Sequence, residues 1–230
     1  MANAVNPKSV TIYGRLSFPR FTHAEAVAGN KKSQFVEADE SKVKPEFNLL
    51  IEQAQLDKLK DHLRNVFLPY TEEQYKKDPK SKDALDPTVV KKVLAMIDSE
   101  DWGDTPPTMF IKPISEKNKE SAPEAVASVK IVGSPGSDIT LKATVHSEDQ
   151  LAVPDPDILT YPLVKNLQET VFQMYAGAYV ASTLNLYAFF SSKAVNGISA
   201  GANVAIYRGN LEGERFGGGV DIDMDEIFMD

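Results

Sequence analysis

The chain has 230 residues, 42 % hydrophobic and 25 % charged, enough apolar material for one large domain or two small ones. No apolar run approaches the ~18 residues of a membrane span, and residues 1–7 lack the basic-then-apolar layout of a signal peptide. The absence of cysteine excludes disulfides, thiolate nucleophiles and cysteine-ligated zinc, and fits a reducing, cytoplasmic setting.

The net charge of −8 is unevenly spread. Residues 217–230 hold Asp221, Asp223, Asp225, Glu226 and Asp230 with no base, whereas residues 1–35 hold Lys8, Arg15, Arg20, Lys31 and Lys32 against Glu25 alone. Val10 to Phe18 alternates, with Val10, Ile12, Leu16 and Phe18 on one face and Thr11, Tyr13, Arg15 and Ser17 on the other. This predicts a half-buried strand ended by Pro19. Residues 22–45 are polar, carry a Gly29-Asn30-Lys31-Lys32 turn signal, and read as a long loop. Phe47 to Ile51 is a short strand or the lead into a helix. Leu56, Leu59, Leu63, Val66 and Phe67 recur at helical spacing and predict an amphipathic helix ending before Pro69. Thr71 and Gln74 resemble the capping box of a short helix. Lys76 to Asp86 reads as a mobile connection, and Asp86-Pro87 as a helix start with Val89, Val90, Val93, Leu94 and Ile97 on its apolar face.

Met109 to Ile114 predicts a strand and Lys117 to Glu124 a charged loop. Ala125 to Val132 and Ile139 to Val145 flank Gly133-Ser134-Pro135-Gly136-Ser137 and read as a hairpin. Residues 149–170 read as a loop. Tyr175 to Phe190 is the longest strand candidate, with Ala178, Val180, Ser182, Leu184, Leu186, Ala188 and Phe190 on one face and Tyr179, Ala181, Thr183, Asn185, Tyr187 and Phe189 on the other. Asn196-Gly197 is a turn signal. Ala202 to Arg208 is a returning strand with Ala202, Val204 and Ile206 inward. The whole predicts a mainly β fold with inserted helices, an antiparallel barrel over residues 1–216, followed by a flexible acidic tail from Gly217 to Asp230.

Signals for catalysis are poor. His23, His62 and His146 form no ligand pair, and Gly217-Gly218-Gly219 lacks the strand, Lys and helix of a phosphate-binding loop. Asp221, Asp223 and Asp225 begin like a calcium loop, but Glu226 stands where Gly is needed. No enzyme, metal or other cofactor is expected. Sequence-neutral binding of single strands, by contrast, needs cations for phosphates and aromatic faces for bases. Tyr13, Arg15, Lys142, Asn185, Tyr187 and Phe189 supply both on outward strand positions. The basic loop Lys31-Lys32 with Phe35 would extend the groove, and Lys193 would close its other end. The tail sets Ile222, Ile227, Phe228 and Met229 among acids, which suits docking onto a basic, partly apolar groove.

Tyr175-Ala176-Gly177-Ala178-Tyr179-Val180, Asn185-Leu186-Tyr187-Ala188-Phe189, Gly197-Ile198-Ser199-Ala200-Gly201-Ala202-Asn203, Gly213 and Gly217-Gly218 resemble a bacteriophage family of single-stranded DNA-binding proteins. Arg15-Leu16-Ser17-Phe18-Pro19 and Lys44-Pro45-Glu46-Phe47 match the same pattern, and the resemblance spans most of residues 10–219. It implies an OB-fold and non-specific single-strand binding in phage replication and recombination, in the cytoplasm of the infected host. It also implies a tail, with Asp221, Asp223, Asp225, Glu226, Phe228 and Asp230, that competes with DNA and contacts the phage polymerase and helicase. Family tails often end on an aromatic residue, whereas here Met229 and Asp230 follow Phe228. No membrane is expected as a partner, and a homodimer is compatible with this reading. The alternative is a phage structural or assembly protein whose tail docks on a neighbouring subunit. A hydrolase on a similar scaffold would need a nucleophile–base or metal set.

Overall fold

The computed structural model describes residues 6–33, 40–102, 107–144, 163–166, 176–190 and 196–207. Its frame is set by a strand that changes partner halfway. β1 (Ser9–Arg20) pairs antiparallel with β7 (Tyr179–Phe190) through Ser9 to Arg15, and with β2 (Glu46–Ile51) from Arg15 onward. The change of partner falls beside Gly14, where a Cβ would lie 2.4 Å from the Leu50 carbonyl oxygen. Only glycine allows the backbones to approach this closely.

β2 pairs with β4 (Ala127–Val132), β4 runs parallel to β8 (Asn196–Gly201), and β8 pairs antiparallel with β7. The ring β1-β2-β4-β8-β7 therefore closes on itself. A closed five-stranded barrel with this Greek-key order is the OB-fold. Every second residue of each strand enters the barrel, so Ile12, Leu16, Phe47, Leu49, Val129, Ile131, Leu184, Leu186 and Ala200 join one core. The long strand shows most of the predicted alternation: Val180, Ser182, Leu184, Leu186 and Ala188 are buried, while Thr183 and Asn185 are exposed; Ala181, expected outward, is buried as well.

Three helices plug the barrel. α2 (Gln53–His62) continues through one π-turn, Leu63–Phe67, into α3 (Leu68–Lys77). The predicted stop before Pro69 does not occur. Proline lacks the N–H for an ordinary helical bond and crowds the carbonyl one turn back. The π-turn absorbs this, the Leu68 N–H bonding to the Leu63 carbonyl, five residues back. Thr71 starts no helix: it is fully buried inside α3, and its hydroxyl donates to the Leu68 carbonyl at 2.8 Å. The stretch after α3 is held in turns, with Ala84 and Leu85 fully buried. α4 (Pro87–Ser99) begins as its sequence predicts. The Asp86 carboxylate accepts the Thr88 N–H at 2.7 Å, which holds its pKa below the usual carboxylate value, and Val90, Val93 and Ile97 are buried.

Other expectations are corrected. Residues 22–45 are not all loop: α1 spans His23–Ser33. Thr22 and Glu25 cap it reciprocally, the Glu25 N–H donating to the Thr22 hydroxyl at 3.1 Å and the Thr22 N–H to the Glu25 carboxylate at 3.0 Å. The charged stretch after β3 (Ile111–Pro113) forms a short helix, α5 (Glu116–Ser121), capped by Ser115. β4 and β5 (Thr140–Thr144) form no hairpin, because both edges of β4 are occupied by β2, β3 and β8. β5 instead pairs with β6 (Leu163–Asn166) and runs parallel to β9 (Val204–Tyr207). Asn196 and Gly197 are strand residues, paired with Phe190 and Phe189. In β9 Ala205 is the fully buried residue rather than Val204 and Ile206, because the break at Ala202-Asn203 shifts the side-chain phase by one.

Phe18 departs most from its predicted place. The β1–β2 register slips between Ser17 and Arg20, and Phe18 takes a left-handed φ of 48° with 62 % of its surface exposed. Such a backbone costs a bulky residue about 1–3 kcal/mol. Beyond the bulge the chain re-enters the core at Phe21, whose ring packs on that of Phe47 with centroids 5.5 Å apart.

Candidate functional site

β7 organises the outer surface, and the predicted residues divide between its two ends. Arg15 pairs opposite Tyr179 and Tyr13 opposite Ala181. Eight residues further along lie Tyr187 and Phe189, roughly 26 Å away at the rise of an extended strand.

At the first end, the backbone register runs in one row from Tyr13 through Ala181 and Ile206 to Lys142. Arg15 does not project into an open groove. Its side chain is buried and donates to the carbonyls of Gly177 at 3.2 Å and Ser121 at 3.0 Å, and to Glu124 at 3.3 Å. It thus ties α5 to the start of β7. The outward alternation predicted for Arg15 holds, but α5 covers that part of the face, and Leu50 packs there with Ile114, Ala122 and Ala125. The Tyr13 N–H lies past the end of the β1–β2 ladder and is taken by Gln55 Oε1 at 3.2 Å. The Tyr179 hydroxyl has its pKa raised, first by burial and then by Glu124 and Glu52.

At the second end, Asn185 is exposed and Tyr187 and Phe189 are half-buried. Both rings lean on β8 at glycines. A Cβ on Gly197 would lie 2.6 Å from Phe189 Cε1, and one on Gly201 3.4 Å from Tyr187 Cε1. Absent side chains on β8 leave room for rings that stay partly open to solvent. Gly201 pairs with Val132 of β4, and two residues along β4 lies exposed Lys130, opposite Asn48 of β2. The Lys130 ammonium bonds Glu46 at 2.7 Å, and the Arg20 guanidinium reaches the same carboxylate at 3.7 Å. Aromatic rings, an amide and two cations therefore share the outer face of β7, β8, β4, β2 and the end of β1. In an OB-fold, oligonucleotides bind over the second and third barrel strands and the loops joining strands 1–2 and 4–5. Here these strands are β2 and β4.

Lys31 and Lys32 lie on α1, in the β1–β2 connection. Lys193, in the β7–β8 connection, Phe35, and the tail residues Asp221, Asp223, Asp225, Glu226, Phe228 and Asp230 fall outside the described residues. Lys130, Arg20 and Phe18 are absent from the sequence-based set. The available signal was Pro19 inside an apolar run, which marks a bulge or strand edge. Among the described residues no group of three or more His, Asp and Glu is placed to hold a metal ion.

No protein-family model matches the chain, and no curated protein matches it. Solved structures similar to it include the single-stranded DNA-binding protein from bacteriophage Enc34, at 12 % identity and a TM-score of 0.48 over 96 % of this chain and 90 % of that one. The same Enc34 protein in complex with single-stranded DNA gives 12 % and 0.49, over 91 % of this chain and 90 % of that one. The third is gp2.5, a single-stranded DNA-binding protein encoded by bacteriophage T7, at 10 % and 0.46 over 95 % of this chain and 94 % of that one.

Proposed function

We propose that this protein binds single-stranded DNA without sequence preference. The observation that carries the reading is the pair Tyr187 and Phe189, partly open on the outer face of an OB barrel and flanked by Lys130 and Arg20. Bases stack on aromatic faces whatever their identity, each contributing about 1–3 kcal/mol, and cations follow the phosphates. Lys31, Lys32 and Phe35 in one flanking connection, and Lys193 in the other, suit the two sides of such a face. Asn185 adds an exposed amide. Tyr13 and Lys142, in their shared row, extend the path along β7. The resemblance of residues 10–219 to phage single-strand binders supports a role in phage replication and recombination, in the host cytoplasm. The acidic tail from Gly217 competes with DNA for the basic face and recruits replication proteins, polymerase and helicase among them. The reading calls for no catalytic group and no cofactor.

The test is fluorescence anisotropy of a labelled oligo-dT with the full chain and with a chain ending at Phe216. Salt-sensitive binding that tightens on removal of the tail supports both the face and the competition. Unchanged binding keeps the DNA activity and removes the competition. Absence of binding by either, with concentration-driven self-association, replaces this reading with an assembly protein.

A further inference from the structure

We infer that Phe18 is a base-stacking residue, with the Arg20–Glu46–Lys130 cluster beside it as a seat for the adjoining phosphate. The inference rests on the single-strand reading above and extends its face across β2 to the far end of β1.

Two features of Phe18 work against folding. Its φ of 48° lies where a bulky residue is rare, and the residue is 62 % exposed. The bulge itself has a use, since it turns the chain so that Phe21 enters the core. That turn requires no aromatic ring: glycine or asparagine would make it with less strain and without exposing apolar surface. Bulky residues held in unfavourable backbone and exposed to solvent cluster at ligand sites.

The surroundings specify the ligand. Arg20 and Lys130 share the Glu46 carboxylate, two cations on one anion, and the Arg20 and Lys130 side chains are 40 % and 51 % exposed. Each can exchange part of its ion pair for a phosphate oxygen at little cost, because exposed pairs are weak. An aromatic face beside a net positive pair matches a nucleotide, whose base is apolar on its faces and whose phosphate is anionic.

The experiment compares wild type, Phe18→Gly, Phe18→Asn and Phe18→Tyr by oligo-dT anisotropy and thermal unfolding. Glycine and asparagine tolerate the left-handed backbone, so both variants should unfold at or above the wild-type temperature. Both should bind about tenfold more weakly, and Phe18→Tyr should bind within about twofold of wild type. Lys130→Ala should give a shallower salt dependence. If wild type binds and Phe18→Gly binds equally well, the inference is overturned and the function stands. If wild type itself does not bind at low salt, the function fails first. Reduced self-association of Phe18→Gly with unchanged DNA affinity would assign the ring to a contact between copies and also overturn the inference.

Discussion

Phe189 packs against the bare backbone of Gly197: a Cβ there would lie 2.6 Å from the ring and 2.4 Å from the Thr108 carbonyl oxygen. The ring can yield, but the carbonyl is backbone and yields less. Gly197→Ala should therefore destabilise the protein by about 1–3 kcal/mol, the usual range for overpacking, and shift the Phe189 ring. Urea unfolding measures the first effect and oligo-dT affinity the second, and both should worsen together.

Arg15 makes a contrasting prediction. Its guanidinium serves the carbonyls of Gly177 and Ser121 from a buried position. Arg15→Ala leaves those acceptors without their donor, at about 1–3 kcal/mol of stability. The salt dependence of DNA binding should not change, because the side chain is engaged inside the fold. A shallower salt slope with unchanged stability would place Arg15 in the groove instead.

His62 supplies a pH dependence. Burial lowers its pKa from 6.5, against smaller opposing effects of its bond to the Pro7 carbonyl, 3.1 Å away, and of Asp61. The unfolded chain therefore takes up the proton first as pH falls. Stability contributed by neutral His62 is complete above about pH 6.5 and declines as pH drops through the lower folded value. In His62→Gln the decline over that window should be smaller, as read by unfolding temperature against pH. An identical decline in both proteins would assign it to other groups.

The legibility of the sequence followed the range of the interactions. The middle of β7 could be read from alternation, Leu184 and Leu186 buried between exposed Thr183 and Asn185, whereas Ala181, expected outward, is buried where β9 pairs with β7. Asp86-Pro87 marked α4 because a cap is a local event. The parallel pairing of β4 with β8 joins Ile131 to Ala200, and no local pattern encodes it. The same absence of non-local information made β4 and β5 look like a hairpin. Asn196-Gly197 carries a strong turn signal, yet tertiary packing uses that glycine to admit Phe189. The Thr22–Glu25 capping box was present in the sequence but stood in a stretch dominated by Gly29-Asn30. At the candidate site, Tyr187 and Phe189 were legible from alternation. The burial of Arg15 was not, because α5 arrives from more than a hundred residues away.

The central claim is tested most directly by the affinity of the Tyr187→Ala/Phe189→Ala double variant for oligo-dT, measured beside wild type at two salt concentrations and matched by unfolding curves. Wild type should bind, more weakly at the higher salt. The double variant should lose at least tenfold in affinity, retaining a wild-type salt slope and a cooperative unfolding transition. Equal affinity of the two proteins would contradict the assignment of this face as the single-strand interface.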